Sequence, residues 1–147
     1  LEHDDGEGQK NLELADVIIV GVSRTSKTPT CIYLANKGIK AANYPLVPDI
    51  GVSKELNEVK SPTVVALITS AQTLVEIRRK RSLELGLKDK ETDYINVHKV
   101  EEEIIAAKRI FANKGWPVID ITRRSVEETA SAIMNIISLK EKKENEQ

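Results

Sequence analysis

The sequence predicts an α/β fold: a parallel sheet with helices on both faces, stacked as a three-layer sandwich. Two apolar runs rich in β-branched residues, 16–20 and 63–69, read as strands, the second buried on both faces. Segments with helical spacing follow each run, so strands and helices alternate along the chain. Polar clusters then close the strands where each hands over to a helix, at residues 21–28, at Ser70 and at residues 120–124. Ligands of parallel sheets gather at the carboxyl ends of the strands, so three clusters at one edge point to a nucleotide-type site.

Residues 1–11 are polar and contain glycine, which reads as loop or tail. We divide the chain into a linker over 1–15 carrying His3, Asp4, Asp5 and Gly6, a nucleotide-binding domain over 16–139, and a solvated tail over 140–147. After the first strand, a helix is expected over 28–37, with Pro29 in its first turn and Gly38 just past its end. Residues 41–47 form a weaker strand, kept from a fully hydrogen-bonded central position by Pro45. The connection 48–62 holds one short helical turn around Glu55, and a helix over 71–85 stops before Gly86. Residues 88–97 are charged and lack periodicity, as a surface segment does. Val100, Ile104, Ala107 and Phe111 make the core stripe of a helix over 100–114, with Glu101, Glu102 and Glu103 in its first turn and Gly115 after it. A last strand spans 116–121, and Ser125 with Glu128 forms a capping box for a final helix ending near Leu139.

Composition removes several function classes. A chain of 147 residues fits one domain with a real core. The charges balance to −1, which gives no bulk electrostatic case for nucleic acid or an anionic membrane. No apolar run approaches a bilayer span. A single cysteine, Cys31, cannot close an internal disulfide and suits a reducing, cytoplasmic setting, where it serves as a small packing residue.

Residues 17–30, VIIVGVSRTSKTPT, run strand, loop, Lys, Thr, helix, which is the order of a phosphate-binding loop. Gly21, Val22, Ser23, Arg24, Thr25 and Ser26 would supply the backbone cradle. Lys27 would reach the outer phosphates, and the Thr28 hydroxyl would sit on Mg²⁺. The three-layer fold expected is therefore P-loop kinase-like. The usual G-x-x-x-x-G-K-[ST] pattern has glycine where this chain has Ser26, so either the loop differs or Ser26 takes a backbone conformation that glycine adopts more readily. The alternative is an ordinary strand-to-helix turn ending in a basic residue.

On the helix over 71–85, about 100° per residue places Leu74, Ile77 and Leu85 on one face together with Arg78 and Arg81. Two guanidinium groups on an apolar stripe require a counter-charge, because an unpaired buried charge is very costly. A bound phosphate is the preferred partner. Snorkelling to solvent, or carboxylates of the following segment, is the alternative.

The stretch from Gly21 through Pro48, GVSRTSKTPTCIYLANKGIKAANYPLVP, closely resembles the pyruvate, phosphate dikinase regulatory protein family, whose sister group regulates phosphoenolpyruvate synthase. The likeness continues through residues 77–81, 92–94, 116–120, 122–125 and 127–129 and covers essentially the whole chain. Thr25 with Ser26 is more like the dikinase branch. The resemblance implies a bifunctional enzyme. It would phosphorylate a threonine beside the catalytic histidine of pyruvate, phosphate dikinase, with ADP as donor, and remove that phosphate by phosphorolysis with inorganic phosphate. It also implies that the chain matches the C-terminal half of longer proteins and that residues 3–6 match a His-Asp-Asp-Gly stretch of the family.

On that basis Lys27 is assigned to the donor phosphates and Thr28 to Mg²⁺, while Arg78 and Arg81 neutralise the moving phosphoryl group. Arg123 or Arg124 are alternatives for that role, and Arg24 is a further phosphate contact. Asp5 or Asp4 takes the threonine proton, with Asp120 as runner-up. A homodimer is compatible with this reading. Two other readings stay open: a small-molecule kinase of adenylate or shikimate kinase type, with residues 78–97 as the counterpart of its lid, and a non-catalytic nucleotide-sensing module.

Overall fold

Among the residues described by the computed structural model, 9–85 and 96–146, four strands form one sheet: β1 (Val17–Gly21), β2 (Ala41–Pro45), β3 (Thr63–Ile68) and β4 (Val118–Asp120). Their order is β2-β1-β3-β4 and every pairing is parallel. The β-branched run of β1 takes a central position because both its faces need cover, and Val17 through Val20 are all fully buried. Each such side chain contributes about 1.5–3 kcal/mol of burial. On one face Val17, Ile19, Val65 and Leu67 pack with Cys31 and Leu34 of α1 (Lys27–Asn36) and with Ala130 and Ile133 of α5 (Val126–Glu146). On the other, Ile18, Val20, Val64 and Ala66 meet α3 (Ala71–Glu84) and α4 (Val97–Lys114) through Leu74, Val75, Val100, Ile104 and Phe111. The molecule is the three-layer α/β sandwich that the alternating pattern predicts.

Local chemistry sets the boundaries. β2 is an edge strand ending at Pro45, which lies opposite Gly21, so the missing N–H falls at the end of the ladder. A short helix, α2 (Lys54–Glu58), starts where the Ser53 side chain accepts the Leu56 N–H. The capping box of α5 forms in both directions: Ser125 N donates to Glu128 Oε1 at 3.2 Å and Glu128 N to Ser125 Oγ at 3.1 Å.

Several boundaries differ from expectation: β2 ends at Pro45 rather than Val47, and β4 covers only Val118–Asp120 of the strand expected over 116–121. α4 begins at Val97, because Asn96 caps it by accepting from His98 N and Lys99 N, so Glu101–103 fall beyond the first turn. α5 continues to Glu146, since no Gly or Pro follows Leu139 to stop a run of good helix formers. Lys140 is no tail residue, for its Nζ donates to the carbonyls of Ser61 and Pro62, both at 3.1 Å. The described part of the expected linker also belongs to the domain. It forms a 3-10 helix, Gln9–Leu14, with Leu12 and Ala15 buried, and the Glu13 carboxylate accepts the N–H groups of Lys60 and Ser61. Among the described residues, no helix is long and apolar enough to cross a membrane.

Candidate functional site

From β1 the chain moves to β2 on one side of the sheet and then to β3 on the other, so the carboxyl end of β1 is the topological switch point. The loop of residues 22–26 leaves from there. Gly21 is required by close approach: a Cβ would stand 2.6 Å from Thr25 Oγ1 and 3.1 Å from the Leu67 carbonyl oxygen. The Thr25 hydroxyl, fully buried, donates to Val22 O at 2.8 Å. Lys27, also buried, folds its ammonium onto the same carbonyl at 2.7 Å and reaches Thr25 Oγ1 at 3.3 Å. The loop is thus wound around its own Val22 carbonyl.

The departure at Ser26 is taken up as backbone strain. Ser26 keeps a left-handed backbone, φ 62° and ψ 25°, and Arg24 has φ 70°. Left-handed geometry at a residue other than glycine costs roughly 1–2 kcal/mol. Two such residues in one short loop are strain of the kind that concentrates at functional sites. Ser26 also makes no side-chain cap for α1, although its carbonyl accepts Thr30 N at 3.2 Å and Thr30 Oγ1 at 2.7 Å. Ahead of that first intrahelical bond, the N–H groups of Lys27 and Thr28 face out of the helix end, and Pro29 has none.

Asn43 of β2 enters from the adjacent strand, donating from Nδ2 to Thr28 Oγ1 at 2.9 Å. Residues 23–29, with Asn43, Pro45 and Ile77, line an open cleft of about 450 Å³. Among the described residues, the charged ones of its lining are Arg24 and Lys27, which favour an anion. Among the described residues, no group of His, Cys, Asp or Glu side chains is placed to hold a metal. The Thr28 hydroxyl, oriented by Asn43 at the cleft wall, is an oxygen among the described cleft residues that would suit Mg²⁺ as a protein ligand.

The arginine helix departs most from its sequence reading. Arg78 is fully buried, and its partner is the Glu103 carboxylate of α4, paired bidentately at 2.8 and 2.9 Å. A third bond, Nη2 to Ser23 O at 3.2 Å, ties this pair to the loop. The carboxylate alternative therefore holds, and Arg78 acts on the loop as a strut. Arg81 is exposed in the last turn of α3, and Ile77 and Leu85 are exposed as well. The buried face is Leu74, Val75 and Arg78, rotated from the stripe expected.

The third polar cluster is built around Asp120. Its Oδ1 accepts from Thr122 N at 2.9 Å and from Thr122 Oγ1 at 2.5 Å. Those two bonds, side chain first, hold its carboxyl below the usual carboxylate value. Thr122 Oγ1 also lies 3.1 Å from Thr69 Oγ1 and accepts the Ser70 N–H at 3.2 Å, stitching the end of β4 to that of β3. Asp120 thus fixes its turn. Arg123 and Arg124, both exposed, sit two strand positions from β1, roughly 10 Å along the sheet, and line no part of the cleft. Asp4, Asp5 and residues 86–95 lie outside the described residues.

Sequence reading missed Glu103 and Asn43. An acidic residue directly before Ile104 of the core stripe was the available signal for Glu103. For Asn43 the signal was a polar residue between the apolar Ala42 and Tyr44 of a strand.

The sequence profile of the kinase/pyrophosphorylase family matches residues 1–134. The chain is 57% identical over 138 residues to a protein of Caulobacter vibrioides and 54% identical over 139 residues to one of Bartonella tribocorum. Both relatives carry the provisional name pyruvate, phosphate dikinase regulatory protein. The alignments take in 94% of this chain but 44% and 50% of those relatives, so the chain spans about half the length of the curated relatives it matches.

Proposed function

The chain belongs to the kinase/pyrophosphorylase family, and from that premise we propose that the cleft at the end of β1 is the donor site of an ADP-dependent protein threonine kinase acting on pyruvate, phosphate dikinase. The same site would carry the reverse regulation, removing the phosphate with inorganic phosphate as acceptor. The observation that carries the reading is the Lys27 ammonium held on Val22 O at the mouth of α1, in a cleft whose charged lining is cationic.

The chemistry is as follows. ADP places its β-phosphate at the N-terminus of α1, and Lys27 exchanges the Val22 carbonyl for a phosphate oxygen. The threonine oxygen attacks the β-phosphorus, the bond from that phosphorus to the bridging oxygen breaks, and AMP departs with the bond's electrons. The threonine proton passes to a base, for which Asp5, with Asp4 beside it, is our assignment. Asp120 serves this less well, since its carboxylate is committed to Thr122. In the other direction an oxygen of inorganic phosphate attacks the phosphothreonine phosphorus. The threonine oxygen leaves and takes up a proton, and pyrophosphate is released. Both directions put the moving phosphorus next to a second phosphoryl group in one cradle, so one site serves both. Thr28 would hold Mg²⁺ when it is bound, and the ion would supply charge neutralisation. Arg24, exposed on the cleft, is the cation we assign to the transferred group in place of Arg78, whose charge is met by Glu103.

The test uses a full-length protein containing this chain. Incubation with ADP and pyruvate, phosphate dikinase is expected to give phosphothreonine on the dikinase and AMP in equal amounts. Inorganic phosphate is then expected to release pyrophosphate and restore the threonine. Phosphate incorporated from ATP alone, or none from ADP, contradicts the reading.

A further inference from the structure

A phosphoryl transfer to a protein needs two adjoining sites, since the acceptor oxygen must come within about 3–3.5 Å of the phosphorus. The donor cleft has such a neighbour. A second cleft, of about 490 Å³, shares Ser23 and Pro45 with it and opens on the α4 side of that wall. Its apolar lining comes from Leu46, Val47 and Ala106. Its charge is opposite to that of the first. Arg78 and Glu103 neutralise each other, Lys99 is 3.6 Å from Glu102, and Asp49 leaves the described residues of the lining with an excess of one negative charge. An acidic cleft repels the phosphates of a nucleotide and favours a cationic group. Its lip is apolar and open: Val47 is 50% exposed, and Ile50, next to Asp49, is 83% exposed. Apolar side chains left uncovered around a charged groove mark a surface for another chain.

We propose that this second cleft binds the acceptor segment of the protein substrate. The occupant is an extended peptide that sets an apolar side chain against Val47 and Ala106 and a cationic side chain against Asp49 and Glu102. Its hydroxyl then reaches over the wall made by Ser23 and Pro45 toward Lys27. The inference rests on the reading of the first cleft as the phosphoryl-donor site, and it assigns the substrate's footing on this domain.

Two variants of the full-length protein test it: Asp49→Lys with Glu102→Lys, which reverses the charge, and Ala106→Trp, which fills the groove. Three readings are taken on each: the unfolding midpoint, ADP affinity by calorimetry, and binding of pyruvate, phosphate dikinase together with its KM. The first pair alters exposed side chains and should leave the midpoint near that of the parent. The expected result is a loss of dikinase affinity and a rise in its KM of about tenfold or more, with ADP affinity unchanged. A parallel fall in ADP affinity would assign the cleft to the nucleoside and overturn the proposal. No change in either quantity would also overturn it. If the parent transfers no phosphate, the proposed function fails, yet the dikinase-binding measurement still reads the cleft: binding lost in the variants upholds it, and binding absent from the parent or retained in the variants overturns it.

Discussion

Lys27 and Arg78 are both buried cations attached to the same loop, and they hold it in opposite ways. Lys27 approaches from the helix that follows the loop, and its ammonium rests on a carbonyl and a hydroxyl of the loop itself. Arg78 approaches from α3, and its planar fork is clamped by a carboxylate before a further arm reaches the loop at Ser23. A point charge on a flexible stem, with a carbonyl and a hydroxyl among its contacts at a cleft wall, can be exchanged onto an anion. A buried fork locked bidentately to a half-buried carboxylate cannot. A buried cation is thus a ligand hand or a strut according to its partner, and sequence position alone does not decide which.

The comparison is broken most sharply by removing the strut. Arg78→Met strands Glu103, and denaturant unfolding without nucleotide is expected to show a loss of about 3 kcal/mol. Arg78→Met combined with Glu103→Leu should recover most of that loss, because the double variant leaves no charge behind. An Arg78→Met protein as stable as the parent would return Arg78 to the role of phosphate ligand. Lys27→Ala is expected to do the reverse. It should change unfolding free energy by about 1.5 kcal/mol, the worth of a hydrogen bond to a charged donor at its weaker end, while removing ADP-dependent transfer.

Smaller effects sharpen the picture. Ser26→Gly should stabilise the protein by up to about 1 kcal/mol through relief of the left-handed backbone, with transfer retained. A loss of stability there would mean that the Ser26 side chain contributes something its geometry does not show. Asp120→Asn tests the third cluster through pH. The Asp120 carboxyl is held low by Thr122, so its contribution is present above the unfolded value near 3.8 and fades as pH falls through the lower folded value. Unfolding curves of parent and variant should therefore differ at neutral pH and converge in acid below that value. Arg81→Met, in the exposed last turn of α3, should stay within about 0.5 kcal/mol of the parent.

Much of this molecule is legible in its sequence. The core stripe of α4 could be read residue by residue, and so could the capping box of α5 and the edge position of β2. In each case the information is local: a 3.6-residue period, a reciprocal pair three residues apart, a proline without an N–H. The strand-loop-helix order around residues 17–36 was legible for the same reason. The strut was not, because Arg78 and Glu103 lie far apart in the chain and meet only when α3 and α4 pack. The face of α3 was misread for a related reason. Period alone placed Ile77 with Leu74 and Arg78, but the buried side is centred on Leu74, Val75 and Arg78, and Ile77 lines the cleft. Periodicity assumes that the buried face is apolar, and a paired arginine in the core violates that assumption.

The loop around Val22 O is the centre of the account, and ADP binding addresses it directly. Calorimetric titration of ADP into Lys27→Ala and into the parent protein, with both shown to be folded by their unfolding curves, isolates the lysine from the scaffold. The account predicts a fall in affinity of about a hundredfold, the worth of a charge-assisted contact to phosphate at roughly 2–3 kcal/mol. Equal affinities in two folded proteins would contradict it and would place the donor site elsewhere on the molecule.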